Sequence, residues 1–484
     1  MCRAKAHALL GQKQEAEKRY AELMSLGFAE GECLAAIAHL HKIPLDDLRR
    51  PKQQVEKYVE IVENLSKEKP SKYLERHLLD CCPLDQFKGR LLAYVLPYIK
   101  KMIPSLFSVL KSLYTDKARA DLVGEVFNQL REELESGDYT TSFGGEKSPC
   151  YVLWVYAYLA SHYRRVGDAA TAHQYVDKAI AHTPTLEMLY VERAKIFQSE
   201  GKTAEAAEAA DFARKLDLQD KYLNTVAARF YFRNNDIERG EEVMQLFYKE
   251  PTVKGDTFLI ALESQCSWYA KEVGEAFYRK GDYVSALQNL LMFDLHHKQN
   301  LCELNDFHSY VFRRNTMRAW FDVIHNMDHV EENKFFLSFC PGLVRTYIKV
   351  HQVGEEAARA AHTPRPELSL EGLNAEDTKR ITGLLDEFYM KDVDLSEPLQ
   401  KAARYMNSLL QHRAGDVETH RLAVEFYTVR EKPLLVARAL HTLKRLKYAD
   451  VDALVKEFQS GLLAKQSSAM DKRVKEVVEE LLSR

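Results

Sequence analysis

A 34-residue spacing of turn residues constrains this chain more than any other feature. Gly167, Gly201 and Asn235 are each 34 positions apart, and Gly281 follows after the same spacing plus a 12-residue insertion. Five residues beyond each of these stands a small residue: Ala172, Ala206, Gly240 and Ala286. Tyr163, Phe197, Tyr231 and Phe277 precede them. Gly and Asn tolerate the left-handed backbone that closes one helix and starts another. Small residues at a fixed offset let two helices approach closely. A repeat of this length, with aromatic, Leu, small, Tyr, then Ala, Ala and Pro (Tyr156, Leu159, Ala160, Tyr163, Ala172, Ala179, Pro184), is the pattern of a tetratricopeptide (TPR) helix pair. The predicted fold is therefore all-α, a TPR-like α-α superhelix (solenoid).

Composition agrees. Gly and Pro number only 20 and 14 in 484 residues, about half of average usage, which argues against turn-rich β architectures. A net charge of −3 leaves no global field for nucleic acid or anionic membrane. No run approaches the roughly 18 apolar residues of a membrane span, and the N-terminus lacks the apolar core of a secretory signal. The eight cysteines form neither a CxxC pair nor a zinc spacing, so mostly buried thiols in a reducing, cytoplasmic setting are expected.

Along the chain the reading is partial TPR units over 1–50, irregular helical pairs over 51–147, four TPR-like repeats over 148–295, a helical extension over 296–353, a linker over 354–380 and a C-terminal helical region over 381–484. Gly11 with Ala16 repeats the turn-to-small offset, so the chain is expected to enter the array inside a repeat, either as a fragment or with an N-terminal array missing. Pro97 and Pro104 are read as helix breaks around Tyr98–Ile103.

Several strings in one order carry a family resemblance. Ser148–Tyr163 (SPCYVLWVYAYLASHY) with Gly167 and Thr183-Pro-Thr-Leu186, Phe107–Lys117 (FSVLKSLYTDK), Asn305–Tyr310 with Arg313, Arg314 and Met317-Arg318, and Glu418-Thr-His420 with Ala423, Glu425-Phe-Tyr427 and Arg430-Glu-Lys432 resemble the auxiliary subunit of the NatA N-terminal acetyltransferase complex. The resemblance covers most of 1–350 and resumes over about 395–445. It implies a non-catalytic scaffold that wraps and activates a catalytic N-terminal acetyltransferase subunit for co-translational N-terminal acetylation. It also implies that acetyl-CoA is bound by that partner, that this chain has no cofactor of its own, and that the ribosome is a further partner. Three features depart from the family: its leading TPR units are absent, the segment near 354–395 is short and not basic (Glu371, Glu376, Asp377), and the C-terminal end is abbreviated.

In that family, basic residues on one repeat helix help hold an inositol polyphosphate between subunits. Lys221, Arg229 and Arg233 stand at such positions, with Val226 where a further basic residue is expected, so inositol hexakisphosphate is the candidate ligand there. Arg229 and Arg233 are i, i+4 and share a helix face. The competing reading of all three is solvated or ion-paired surface charge.

No catalytic constellation stands out, and the chain is read as non-enzymatic. Arg164-Arg-Val-Gly167-Asp-Ala169 matches an acetyl-CoA pyrophosphate turn by letter, but that turn follows a strand and Gly167 already closes a repeat helix. His296-His297 is read as a solvated pair rather than a metal site. The aromatic run Tyr151, Trp154, Tyr156, Tyr158 and Tyr163 is read as helix packing rather than base stacking. Asn305–Arg318 is read as partner contact or ordering of the solenoid, with His308 in the core as the alternative. The rival function is a generic TPR peptide-binding adaptor, for which Asn224 and Arg229 are scattered members of a carboxylate clamp. Neither membrane nor specific nucleic acid is expected as a partner.

Overall fold

The computed structural model describes every residue except 47–49, 52, 69, 248–256, 258, 260, 262–263, 303–316, 365–373, 389–392, 467–469 and 484. Its described residues form two compact units, Met1–Leu218 and Gln219–Arg484. Both are built from successive helices packed as antiparallel neighbours, the solenoid-like all-α organisation that the period predicts. The one strand pairing among the described residues is a two-rung antiparallel ladder, Leu45 opposite Pro51 and Asp46 opposite Arg50. No helix among the described residues is long and apolar enough to cross a membrane.

The four repeats appear as helix pairs. The first joins Cys150–Val166 to Ala169–His182, and the second joins Glu187–Ser199 to Thr203–Leu216. Both lie in the first unit. The third joins Lys221–Arg233 to Ile237–Gln245 and the fourth joins Ser267–Lys280 to Tyr283–Leu290, both in the second unit. The four predicted turn residues all have left-handed backbone, with φ of 92° at Gly167, 78° at Gly201, 62° at Asn235 and 86° at Gly281. An Asp caps the second helix of three pairs: Asp168, Asp236 and Asp282 each accept an N–H bond from three residues on. The small positions are where the helices touch. Ala172 and Ala206 are buried, and a Cβ at Gly240 would stand 2.3 Å from the Phe232 ring.

Two apolar clusters fill the first unit. One gathers Tyr20, Leu34, Ile37, Tyr58, Val62 and Leu74 from its opening helices. The other runs from Phe87 and Leu91 through Phe127 to Tyr158, Leu159 and Val176. Tyr151 and Tyr158 of the aromatic run belong to the second cluster, and Tyr156 and Tyr163 pack against it. Tyr158 stacks on Phe127 with ring centroids 3.6 Å apart, and Tyr163 stacks on Tyr175. These rings pack helix against helix, as expected.

Two local expectations are corrected. Pro97 does not break its helix, which runs Leu84–Lys100. It falls one turn from the end, where the missing N–H removes a single bond, and its own carbonyl still accepts from Lys101 at 3.1 Å. His296 is not solvated. It is only 6% exposed, one helical turn beyond the buried Met292 and on the same face, and His297 beside it is half-buried. Burial lowers the His297 pKa below the usual imidazole range, opposed by Asp294 and assisted by Arg404. Within 354–380, the described residues include the helix Glu355–Ala360 and the start of Ala375–Phe388. Most of Asn305–Arg318, with His308, lies outside the described residues.

Candidate functional site

The three predicted basic residues lie on one helix, Lys221–Arg233, the first helix of the third repeat. Asp220 starts it by accepting from the N–H groups of Tyr222 (2.6 Å) and Leu223 (3.4 Å). Leu223, Ala227 and Phe230 bury the opposite face. With that side committed to the core, positions 221, 225, 229 and 233 form the stripe that faces away from it. Thr225 turns its hydroxyl back to the Lys221 carbonyl at 2.9 Å, which leaves the three cations as the stripe's charged groups.

The first helix of the fourth repeat faces this stripe with Trp268, Glu272 and Arg279. Arg233 meets Glu272 as a fork on a carboxylate, Nε to Oε2 at 3.0 Å and Nη2 to Oε1 at 2.5 Å. Arg229 meets an indole instead. Its guanidinium carbon lies 4.8 Å from the centre of a Trp268 ring, and its Nε is shielded from solvent without a hydrogen-bond partner. Lys221 is exposed and pairs with no carboxylate among the described residues. Arg279 locks the turn between the helices by donating to the Asn235 side chain (2.7 Å) and the Phe232 carbonyl (2.9 Å). Burial lowers the Arg279 pKa, with Glu275 and Glu272 opposing and Arg233 and Arg345 assisting.

The structure thus brings all three residues together but gives them different states. Arg233 is neutralised by Glu272, whereas Lys221 and Arg229 are not neutralised. Their field reaches Cys266: burial raises that thiol, while the Tyr269 N–H, Arg229 and Lys221 pull it the other way. A shielded guanidinium on an aromatic face, beside a free ammonium, suits a multiply charged anion with several acceptor oxygens. Trp268, Glu272 and Arg279 were not singled out from the sequence. They lie beyond the 12-residue insertion, and the signal that could have found them is the register of the fourth repeat, which places them on the equivalent helix.

The other candidates resolve into structure. Arg164 extends to Glu192 on the next repeat, Nε to Oε1 at 2.6 Å, and Gly167-Asp168 is a helix end and a helix cap with no strand before it. Asn224 is buried, with its amide donating to the Val243 carbonyl at 2.8 Å inside its own helix pair, so it is not placed for a carboxylate clamp. Among the described residues, no three His, Cys, Asp or Glu are grouped to hold a metal ion. None of the eight cysteines forms a disulfide; Cys33, Cys81, Cys82 and Cys340 are buried.

The model of the family "N-terminal acetyltransferase A, auxiliary subunit" matches residues 1–385. The N-terminal acetyltransferase A complex auxiliary subunit NAA15 of Arabidopsis thaliana is 28% identical over 491 residues, covering 93% of this chain and 53% of that protein. Human N-alpha-acetyltransferase 16, NatA auxiliary subunit, is 27% identical over 430 residues, covering 80% of this chain and 49% of that one. The chain spans about half the length of the curated relatives it matches. Its fold is similar to that of a chain in the structure of Naa15/Naa10 bound to HypK-THB, with a TM-score of 0.66 and 23% identity over 99% of this chain and 66% of that one. With the helix-pair register, the local motifs and the family match in agreement, this chain belongs to the auxiliary subunits of N-terminal acetyltransferase A.

Proposed function

We propose that this chain is a non-catalytic scaffold that wraps a catalytic N-terminal acetyltransferase subunit and activates it for co-translational acetylation of protein N-termini in the cytoplasm. The observation that carries this reading is the family match over residues 1–385. The related fold in the complex of Naa15 with Naa10 supports a catalytic partner of that kind. Acetyl-CoA would be bound by the partner. The scaffold's contribution would be preorganisation, fixing loops of the partner around the substrate α-amine so that no ordering remains at the moment of reaction. Ribosome tethering belongs to the same reading.

The test is co-expression with a small acetyl-CoA-binding partner. The two chains should purify one-to-one, the pair should acetylate peptide α-amines, and the isolated scaffold should not. Acetyl transfer by the isolated chain, or failure to co-purify, overturns the proposal.

A ligand is proposed with it. Lys221 and Arg229, two cations without carboxylate partners on one helix face, support an inositol polyphosphate at this face of the complex, with Arg233 held beside them by Glu272. Calorimetric titration of the complex with inositol hexakisphosphate should show saturable heat. No heat would remove the ligand from the proposal while leaving the scaffold reading intact.

A further inference from the structure

Two matched ladders of side chains meet between the third and fourth repeats. Arg229 and Arg233 stand one turn apart on helix Lys221–Arg233, and Trp268 and Glu272 stand one turn apart on helix Ser267–Lys280. One rung is ionic, Arg233 on Glu272. The other is Arg229 on the Trp268 indole, with 4.8 Å from guanidinium carbon to ring centre. In this register a carboxylate at position 268 would meet Arg229 as Glu272 meets Arg233. An indole stands there instead.

Elsewhere a ring under an arginine accompanies an ion pair. Arg164 lies over Phe107 and holds Glu192, Arg193 lies over Tyr190 and holds Asp177, and Arg421 lies over Tyr448 and holds Glu418. Arg229 lies nearer its ring than any of these three, and it holds no carboxylate among the described residues.

What the indole leaves open decides its role. A ring face takes the flat side of a guanidinium and leaves the in-plane N–H groups to other partners. In Arg229 only Nε is shielded from solvent; the two terminal nitrogens are neither shielded nor hydrogen-bonded among the described residues. The indole itself is half-buried, and its ring centre lies 6.4 Å from that of the buried Phe232, which ties it to the core of the third repeat. Lys221 belongs to the same place. Burial raises the thiol of Cys266, two residues before Trp268, and the Tyr269 N–H, Arg229 and Lys221 oppose it, so both cations lie near the start of helix Ser267–Lys280.

We propose that Trp268 is the positioning residue of the polyphosphate site. It holds the Arg229 guanidinium by its face and, by standing where a carboxylate could stand, keeps the terminal N–H groups available to phosphate oxygens. This rests on the ligand reading above and adds to it the side chain on which Arg229 depends.

The test is calorimetric titration of the complex with inositol hexakisphosphate, once each variant has been shown to co-purify with the partner. W268L keeps an apolar side chain but removes the π face, and should weaken binding about 5-fold, because the ligand must then order Arg229 itself. W268F restores a ring and should stay within about 2-fold of wild type. W268E supplies the missing carboxylate and should weaken binding about 10-fold. In an R229A background W268L should have no further effect, a coupling that a merely structural tryptophan would not show. No heat with wild type removes the ligand reading and this inference together. Heat with wild type that is unchanged in W268L, or an equal loss from W268L with and without Arg229, overturns the role of Trp268 and leaves the ligand reading standing. If W268L does not assemble, W268F against W268E carries the test, and equal affinity of the two overturns the proposal.

Discussion

Arg164 and Arg229 stand on the first helices of the first and third repeats, and both extend toward the first helix of the following repeat. Arg164 finds a carboxylate there, Glu192, which is itself buried. Arg229 finds an indole, Trp268. The same residue type on the equivalent element is a structural tie in one repeat and an uncommitted cation in the other. Residue type does not decide the outcome; the partner presented by the neighbouring helix does. The third repeat makes its own tie one turn later, where Arg233 takes Glu272, so Arg229 is spared that role.

The largest effect should come from cutting the tie in the first repeat. R164A leaves Glu192 buried with only Lys195 as counter-charge, and should cost the first unit about 3 kcal/mol in urea denaturation. A loss below about 0.5 kcal/mol would show the pair to be incidental. The difference between wild type and R164A should depend on acid. Burial alone would raise the Glu192 pKa, but Lys195, Arg164 and Ser161 together hold it below the usual carboxylate value. A depressed folded value means that the ionised pair contributes in full above the unfolded pKa of about 4.3, and that this contribution disappears as pH falls through the lower folded value. The denaturation curves of wild type and R164A should therefore converge below about pH 4. The curves of wild type and R229A should keep a constant separation over the same window, because Arg229 pairs with no carboxylate.

G240A comes next. Its Cβ would enter the Phe232 ring, and overpacking there should cost about 1–3 kcal/mol, read as a lower midpoint for the second unit. The equivalent swap in the second repeat, A206G, should cost about 1 kcal/mol through helix propensity alone. If G240A is neutral, the third repeat is looser than its contacts indicate.

The smallest expected change in stability is that of R229A, about 0.5–1 kcal/mol from the lost stacking on Trp268. The same variant should weaken polyphosphate binding by the complex about 10-fold. A large loss of stability with no change in binding would make Arg229 a second Arg164.

The repeat register was legible from spacing because it is a backbone matter: Gly167, Gly201, Asn235 and Gly281 must take left-handed φ, and few residues do. The packing role of the first-repeat aromatic run was legible from its helical spacing. Pro97 was misread because a missing N–H matters only if its bond is needed, and near a helix end one bond is dispensable. His296 was misread because adjacent histidines look alike in a string but point to different sides of a helix, one toward Met292 and the core. The basic stripe was visible as three letters, yet nothing local distinguished the neutralised Arg233 from the unneutralised Arg229.

By itself, then, the sequence determined what depends on short range: where helices end, which face of each is apolar, and which small residues permit close approach. Only the tertiary structure decided which charges are satisfied, because an ion pair or a stacked indole depends on what another helix presents within about 3–5 Å. Helix periodicity sets the side from which Arg164 and Arg229 project. The packing of the next helix sets whether each meets a carboxylate, and that contact separates a tie within the fold from a cation without a counter-charge.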